Sequence, residues 1–307
     1  MQVDISFVIT VFNKEKQLLA AIGSLLEQTK DIACEFIFVD DASTDNSVQV
    51  IKEILGKAQN LIIINNEQNV GPAVSLNKGC MAASGKYLFL IDADDILAKN
   101  ALGVMFNAIQ KERADFVFGF HKATELSQLE LLNISLPENT SYQVSNNPLD
   151  TVLDGKYVRM AYLVTKELYL KSGGADERIF IQDESLPLRL AYSAKKMVSL
   201  NHPAVYAAKD EHSLSKNKLQ QLHDRFYAYY FALSEFQLAT PGQKMRLYQR
   251  AVSSIWKAKK ASANLTQKIV FFIVYLGVKI FSRQANLKML KQSKFFIDSL
   301  ENVRKIH

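Results

Sequence analysis

YLFLIDADD (residues 87–95) is the stretch on which the fold turns. Tyr87 to Ile91 make an apolar run too short for a stable helix and long enough for a buried strand. Asp92, Ala93, Asp94 and Asp95 follow at once. In extended backbone alternate side chains share a face, so Asp92 and Asp94 point into one cleft. Paired carboxylates give the hard oxygen ligands that Mg2+ or Mn2+ accepts beside phosphate oxygens. The competing reading is a solvated loop, with Asp as turn former and Asp95 as N-cap of a following helix.

Three similar units lie upstream. ISFVITV (5–11) is a β-branched run of the kind found in buried parallel strands. A helix over 14–28 follows, with Leu18, Leu19, Ile22, Leu25 and Leu26 on one face. EFIFVD (35–40) is a second strand that runs into Asp40–Asp41, with a helix over 47–55. LIII (61–64) precedes a Gly-Pro turn and a helix over 73–83. This alternation predicts an α/β fold built on an open, mostly parallel twisted sheet flanked by helices. Asp40–Asp41 and Asp92–Asp95 then share the carboxyl edge of the sheet, where such folds bind ligands. A carboxylate there suits the N–H and hydroxyl donors of a base or ribose, although Asp40, Asp41, Ser43 and Asp45 equally suit a helix cap.

Downstream, the pattern predicts a helix over 96–110 and a strand over 115–120 (DFVFGF). Residues 121–155 read as a polar, irregular surface insertion, and 157–170 and 184–194 as helical segments. The main domain, 1–215, is expected to close there. Residues 216–307 form a basic, mostly helical C-terminal extension, broken at Pro241-Gly242. The start, MQVDISFVIT, has no basic n-region and reads as a first strand, not a signal peptide. Cys34 and Cys80 lack metal-binding spacing and read as buried thiols.

Several functions are excluded by what is missing. There is no GxGxxG or GxxxxGK[ST] segment, so a dinucleotide dehydrogenase or a P-loop enzyme does not fit. A nucleotidyltransferase would need a glycine-rich loop where this chain has TVFNKEKQ (10–17). The net charge of +6 is uneven: residues 1–215 carry 20 basic and 27 acidic side chains, residues 216–307 carry 17 and 4. The cationic part seeks an anionic surface, but no zinc-finger, RNP or helix-turn-helix signal makes that surface nucleic acid. IVFFIVYLGVKIF (269–281) is strongly apolar yet short of the roughly 20 residues that span a bilayer. Flanked by lysines and arginines, it suits a helix lying on an anionic membrane, or a helix packed internally or on a second subunit.

Four ordered segments resemble the family 2 glycosyltransferases, an inverting group with a GT-A fold. They are FVITVFNKEKQLLAAIGSLLEQT (7–29), FVDDASTDNS (38–47), NVGPAVSLNKGCMAASGKYLFLIDADD (69–95) and FIQDESLPLRLA (180–191). The resemblance covers residues 3–215. It implies a nucleotide-sugar donor, by family habit a UDP-sugar, with the base near Val11, Phe12 and Asn13 and against Asp41, with Asp40 beside it. It implies that Asp92 lies towards the ribose or sugar and that Asp94 binds Mn2+ or Mg2+ carrying the diphosphate. Asp183 matches the catalytic base, with Glu184 the alternative, and His212 in KDEHSLS (209–215) matches a residue near the metal or diphosphate. A glycan or lipid-linked acceptor and a cytoplasmic, peripheral-membrane location are the implied context. Two departures stand out: Leu76 occupies the position of a family Arg, and Gln182 that of a Glu. These keep open a non-catalytic protein that binds a nucleotide sugar or glycan.

Overall fold

The computed structural model describes residues 3–30, 32–56, 60–137, 139–155, 160–208, 217–262, 265–281 and 285–305. The first part alternates as the periodicity demands: β1 (Ile5–Val11), α1 (Leu18–Leu26), β2 (Cys34–Asp40), α2 (Ser47–Leu55), β3 (Leu61–Asn65), α3 (Pro72–Ala82) and β4 (Tyr87–Asp92). Then come β5 (Asp95–Leu97), α4 (Ala101–Glu112), β6 (Phe116–Phe118), β7 (His121–Thr124), α5 (Gln128–Leu131), β8 (Tyr142–Ser145) and α6 (Pro148–Asp154). They are followed by β9 (Tyr162–Thr165), α7 (Lys166–Ser172), α8 (Gln182–Ser193), β10 (Met197–Leu200) and β11 (Val205–Ala208). Helices α9 (Lys218–Glu235), α10 (Pro241–Ser262), α11 (Leu265–Phe281) and α12 (Leu287–Asp298) complete the order.

The main sheet runs β3-β2-β1-β4-β9-β6-β10-β8, and β5-β11-β7 form a small second sheet. β3, β2, β1 and β4 are mutually parallel; β9 enters antiparallel between β4 and β6, so the whole sheet is mixed. β1 is central and closed on both faces, with Phe7 ringed by Phe36 and Phe89. Each such fully buried side chain contributes about 1.5–3 kcal/mol of burial energy. α3 lies flush on β1 and β2 because of Gly79: a Cβ there would stand 2.5 Å from Val8 and 2.9 Å from Val39.

Three expectations are corrected. The predicted helix over 96–110 begins later, at Ala101, because Asp95–Leu97 instead pair with β11. Asp95 is therefore a strand residue, and Asn100 occupies the N-cap position of α4. The insertion at 121–155 is not irregular: it contributes β7, α5, β8 and α6. The segment 157–170 is not one helix, since Tyr162–Thr165 form a strand before α7. A four-residue apolar run between two sheet strands gains two ladders of hydrogen bonds, which a helix cannot offer there. Both cysteines are buried free thiols, and burial pushes each up to about 12. The apolar core continues from the sheet into α9 and α10 through Phe226, Leu247 and Ile255.

Candidate active site

The carboxyl edge of the parallel strands carries the site. Register places Val11 opposite Asp40 and Thr10 opposite Asp92, so the two acidic strand ends flank β1. Two strand spacings separate them by roughly 10 Å. The loop after β1 is fixed to the loop after β2 by three successive amides. Asn13 N donates to Ser43 Oγ at 2.9 Å, Lys14 N to Ser47 Oγ at 2.8 Å and Glu15 N to Asp45 Oδ2 at 3.0 Å. Burial acts to raise the Asp45 carboxyl, but hydrogen bonds from Ser47 and Glu15 outweigh it and hold the group below the usual range. Asn13 turns the chain with φ 54°, a left-handed conformation that Asn tolerates. Val11 is buried and Phe12 is exposed beside this turn.

Asp40 and Asp41 are neighbours with opposite roles. Asp41 accepts from Asn66 Nδ2 at 3.0 Å, Val70 N at 2.8 Å and Gly71 N at 2.8 Å. Those bonds tie the β3–α3 loop to β2 and use both carboxylate oxygens. Asp40 Oδ2 accepts from Ser43 N at 3.1 Å, while its buried Oδ1 has no hydrogen-bond partner among the described residues. An orphaned buried acceptor is costly and marks a place where a ligand donor fits. The base contact that the resemblance assigns first to Asp41 therefore suits Asp40 better on geometry.

Asp94 is half-buried and bonded to Lys14 Nζ at 2.5 Å. No group of three His, Cys, Asp or Glu side chains that could hold a metal occurs among the described residues. This donor set fits an ion held jointly by one carboxylate and phosphate oxygens, not a site made by protein alone. Asp92 receives a long contact, 3.5 Å, from the amide of Gln182. A Glu at 182 would set a second carboxylate against Asp92, so the neutral residue relieves charge at this point.

Asp183 stands in the first turn of α8. The residue is half-buried, yet Oδ1 is closed to solvent and has no hydrogen-bond partner among the described residues. Burial first, then the charges of Asp92 and Glu184, drive its carboxyl well above the usual range; His121 opposes them and Asp95 adds to them. A carboxylate in that state is a strong proton acceptor for its type. Glu184 differs: it is buried in a bidentate pair with Arg225, at 2.8 and 2.7 Å, which joins α8 to α9. Both its oxygens are engaged.

Sequence pattern assigns no role to His121. Its Nε2 lies 2.9 Å from Asp95 Oδ1, with both side chains almost fully buried and near enough for their charges to act on Asp183. The pair is 26 residues apart in sequence, and no local spacing announces it. His212 lies outside the described residues. Leu76 faces the core and contributes nothing to the cleft, while Asn77 binds Ala175 and the Tyr169 hydroxyl, bracing the 173–177 loop that leads to α8.

Residues 6–153, just under half of the chain, match the model of glycosyl transferase family 2. The glycosyltransferase GlyG of Streptococcus pneumoniae serotype 4 is 32% identical over 115 residues, covering 38% of this chain and 38% of GlyG. The cholesterol galactosyltransferase of Borreliella burgdorferi is 26% identical over 211 residues, covering 64% of this chain and 58% of that protein. The matches thus span between about two fifths and three fifths of these relatives' length. Among solved structures, S. aureus TarS 1–349 with UDP-GlcNAc superposes at a TM-score of 0.67 and 16% identity, covering 96% of this chain and 89% of TarS 1–349. The mannosyltransferase PcManGT of Pyrobaculum calidifontis, solved with GDP-Man and Mn2+, gives 0.56 and 13%, covering 97% and 86%. The fold shared with TarS includes the C-terminal helices.

Proposed function

We propose that this protein transfers a sugar from a UDP-sugar to a hydroxyl of a glycan or lipid-linked acceptor, inverting the anomeric carbon. The observation that carries the reading is Asp183, whose Oδ1 is closed to solvent without a hydrogen-bond partner among the described residues and whose carboxyl is driven upward by burial and by the charges of Asp92 and Glu184. Asp183 takes the proton of the acceptor hydroxyl as that oxygen attacks the anomeric carbon from the face opposite the leaving group. The bond from that carbon to the diphosphate breaks, and the nucleoside diphosphate departs. Val11, Phe12, Asn13 and Asp40 bound the base, Asp41 holds the loop beneath it, and Asp92 faces the ribose or sugar. Asp94 would hold Mg2+ or Mn2+ together with the diphosphate. A bound divalent ion offsets negative charge on the departing diphosphate. UDP is favoured because the TarS complexes hold UDP-GlcNAc and UDP.

Asp94→Asn tests the metal assignment. Calorimetric UDP binding should strengthen with Mn2+ in the wild type and lose that response in the variant. An equal response would remove Asp94 from the metal.

For the acceptor side, a membrane surface is supported by α11. Ile269, Phe272 and Ile273 are exposed on one helical face, which ends at exposed Lys279. On α12, Phe295 is 83% exposed beside Lys291 and Lys294. No helix among the described residues is long and apolar enough to cross a membrane. Apolar side chains among cations suit peripheral attachment to anionic lipid at the inner face of the cell membrane. Cosedimentation with anionic vesicles should exceed that with neutral ones and fall as salt rises; equal binding to both defeats this placement.

A further inference from the structure

The stretch after α12 returns to the cleft. Asn217 Nδ2 donates to the Asn302 carbonyl at 2.9 Å, and Asn302 itself turns with φ 58°. The Gln220 side chain then grips both sides of one residue: Arg304 N donates to Oε1 at 2.7 Å, and Nε2 donates to the Arg304 carbonyl at 3.1 Å. With its backbone fixed, Arg304 lays its guanidinium over the Phe180 ring, 4.7 Å from the centroid. The same group forks onto Asn69, with Nη2 donating to the carbonyl at 2.5 Å and Nη1 to Oδ1.

Both partners matter for where they stand. Asn69 Nδ2 donates to the Asp41 carbonyl at 3.2 Å, and the next two amides hold the Asp41 carboxylate. Phe180 precedes Asp183 by three residues, and the intervening Ile181 N is held by Asp224, which Gln220 also bonds. One side chain thus bridges the loop under the base end of the cleft and the loop that presents Asp183. It reaches Asn69 from 235 residues away in sequence. α3 supplies no cation comparable to the family Arg, because Leu76 is in the core and Lys78 is bonded to Asn66.

We propose that Arg304 is a positioning residue for the donor nucleotide. It fixes the 66–71 loop against the 180–183 loop and so sets the gap into which the base fits. Its planar fork matches a carbonyl and an amide oxygen on one residue, and its weak hydration permits the stack on Phe180. A lysine ammonium keeps the charge but cannot reproduce the fork.

The inference rests on reading the edge as a nucleotide site, so UDP and GDP binding to the full chain with Mn2+ is measured first. Wild-type binding of neither would overturn both the site and this role. Given wild-type binding, Arg304→Ala should weaken it about tenfold, the scale of losing one to two net hydrogen bonds. Arg304→Lys should recover little of that. Amide exchange at Val70 and Gly71 should quicken in both variants without nucleotide, while the melting temperature of the whole chain changes little. Asn69→Ala removes the Oδ1 half of the fork together with the Asn69 Nδ2 bond to the Asp41 carbonyl, and leaves the carbonyl half and the tail intact; it should weaken binding in the same direction by a smaller factor. Unchanged affinity in Arg304→Ala overturns the proposal while leaving the nucleotide site standing. Full recovery by lysine would make Arg304 a simple charge contact and overturn positioning. If Arg304→Ala fails to fold, Asn69→Ala decides alone, and wild-type affinity there refutes the role.

Discussion

Buried Asp41 and half-buried Asp183 are both acids of the candidate site, and the protein treats them in opposite ways. Asp41 meets three internal donors, so its negative charge is absorbed by backbone and amide dipoles that hold a loop in place. Asp183 is surrounded by acids and has one oxygen without a hydrogen bond among the described residues. The first arrangement is structural glue. The second keeps a charged group in an unfavourable setting, as sites that move protons commonly do. Residue type alone does not separate the two roles; the donors around each group do.

The largest test of this contrast is Asp183→Asn. Turnover should fall roughly 10²–10⁴-fold, the usual worth of a general base, while UDP affinity stays near wild type. The melting temperature at neutral pH should rise, because an acid raised in the folded state destabilises the fold once ionised. The sign follows from proton binding. Below its unfolded value Asp183 is neutral in both states, and its favourable protonation in the fold is lost as pH rises through the raised folded value. The stabilising effect of Asn should therefore shrink as pH falls below that value, and wild-type turnover should decline over the same interval. Glu184→Gln is the contrast: breaking the buried pair with Arg225 should cost about 3 kcal/mol of stability. A turnover loss in Glu184→Gln beyond what unfolding explains, with Asp183→Asn still active, would exchange the two roles.

Asp41→Asn should be the next largest in stability. The amide nitrogen can accept nothing, so at least one of the donors now bonded would be left unpaired at a cost of about 1–3 kcal/mol. Asp40→Asn should barely move the melting temperature and should weaken UDP binding about tenfold, the scale of one charge-assisted hydrogen bond. Thermal melts beside calorimetry separate them. If Asp41→Asn keeps full stability but loses UDP, the division between glue and ligand contact is reversed.

The smallest effect is expected at Ala42, which follows Asp41 with φ 61°. A left-handed alanine costs roughly 1–2 kcal/mol, and glycine removes that cost while losing about 0.5–1 kcal/mol to chain entropy. Ala42→Gly should gain a fraction of a kcal/mol by denaturant melts, so a clear loss would mean the alanine methyl packs in a way its backbone conceals.

Much of the parallel half was legible from local pattern. The runs ISFVITV, EFIFVD, LIII and YLFLI fall in β1 to β4 because a short, β-branched, apolar run has few other ways to be buried. Ser47–Leu55 became α2 with the predicted limits, since its apolar positions recur at helical spacing. Acids at the ends of the second and fourth strands then had to fall on one edge. Periodicity did not reveal that Tyr162–Thr165 would slot between β4 and β6, or that Asp95 would join a strand and meet His121. Nor did it reveal that Glu184 would be taken by Arg225 while Asp183, one residue earlier, kept an oxygen unbonded. By itself the sequence determined which segments are strands and helices in the parallel half and which edge carries the acids, because those follow from contacts a few residues apart. The tertiary structure alone decided which acid is held by donors, which is crowded by charge, and that a side chain at 304 braces a loop at 69, because each depends on groups brought together from distant parts of the chain.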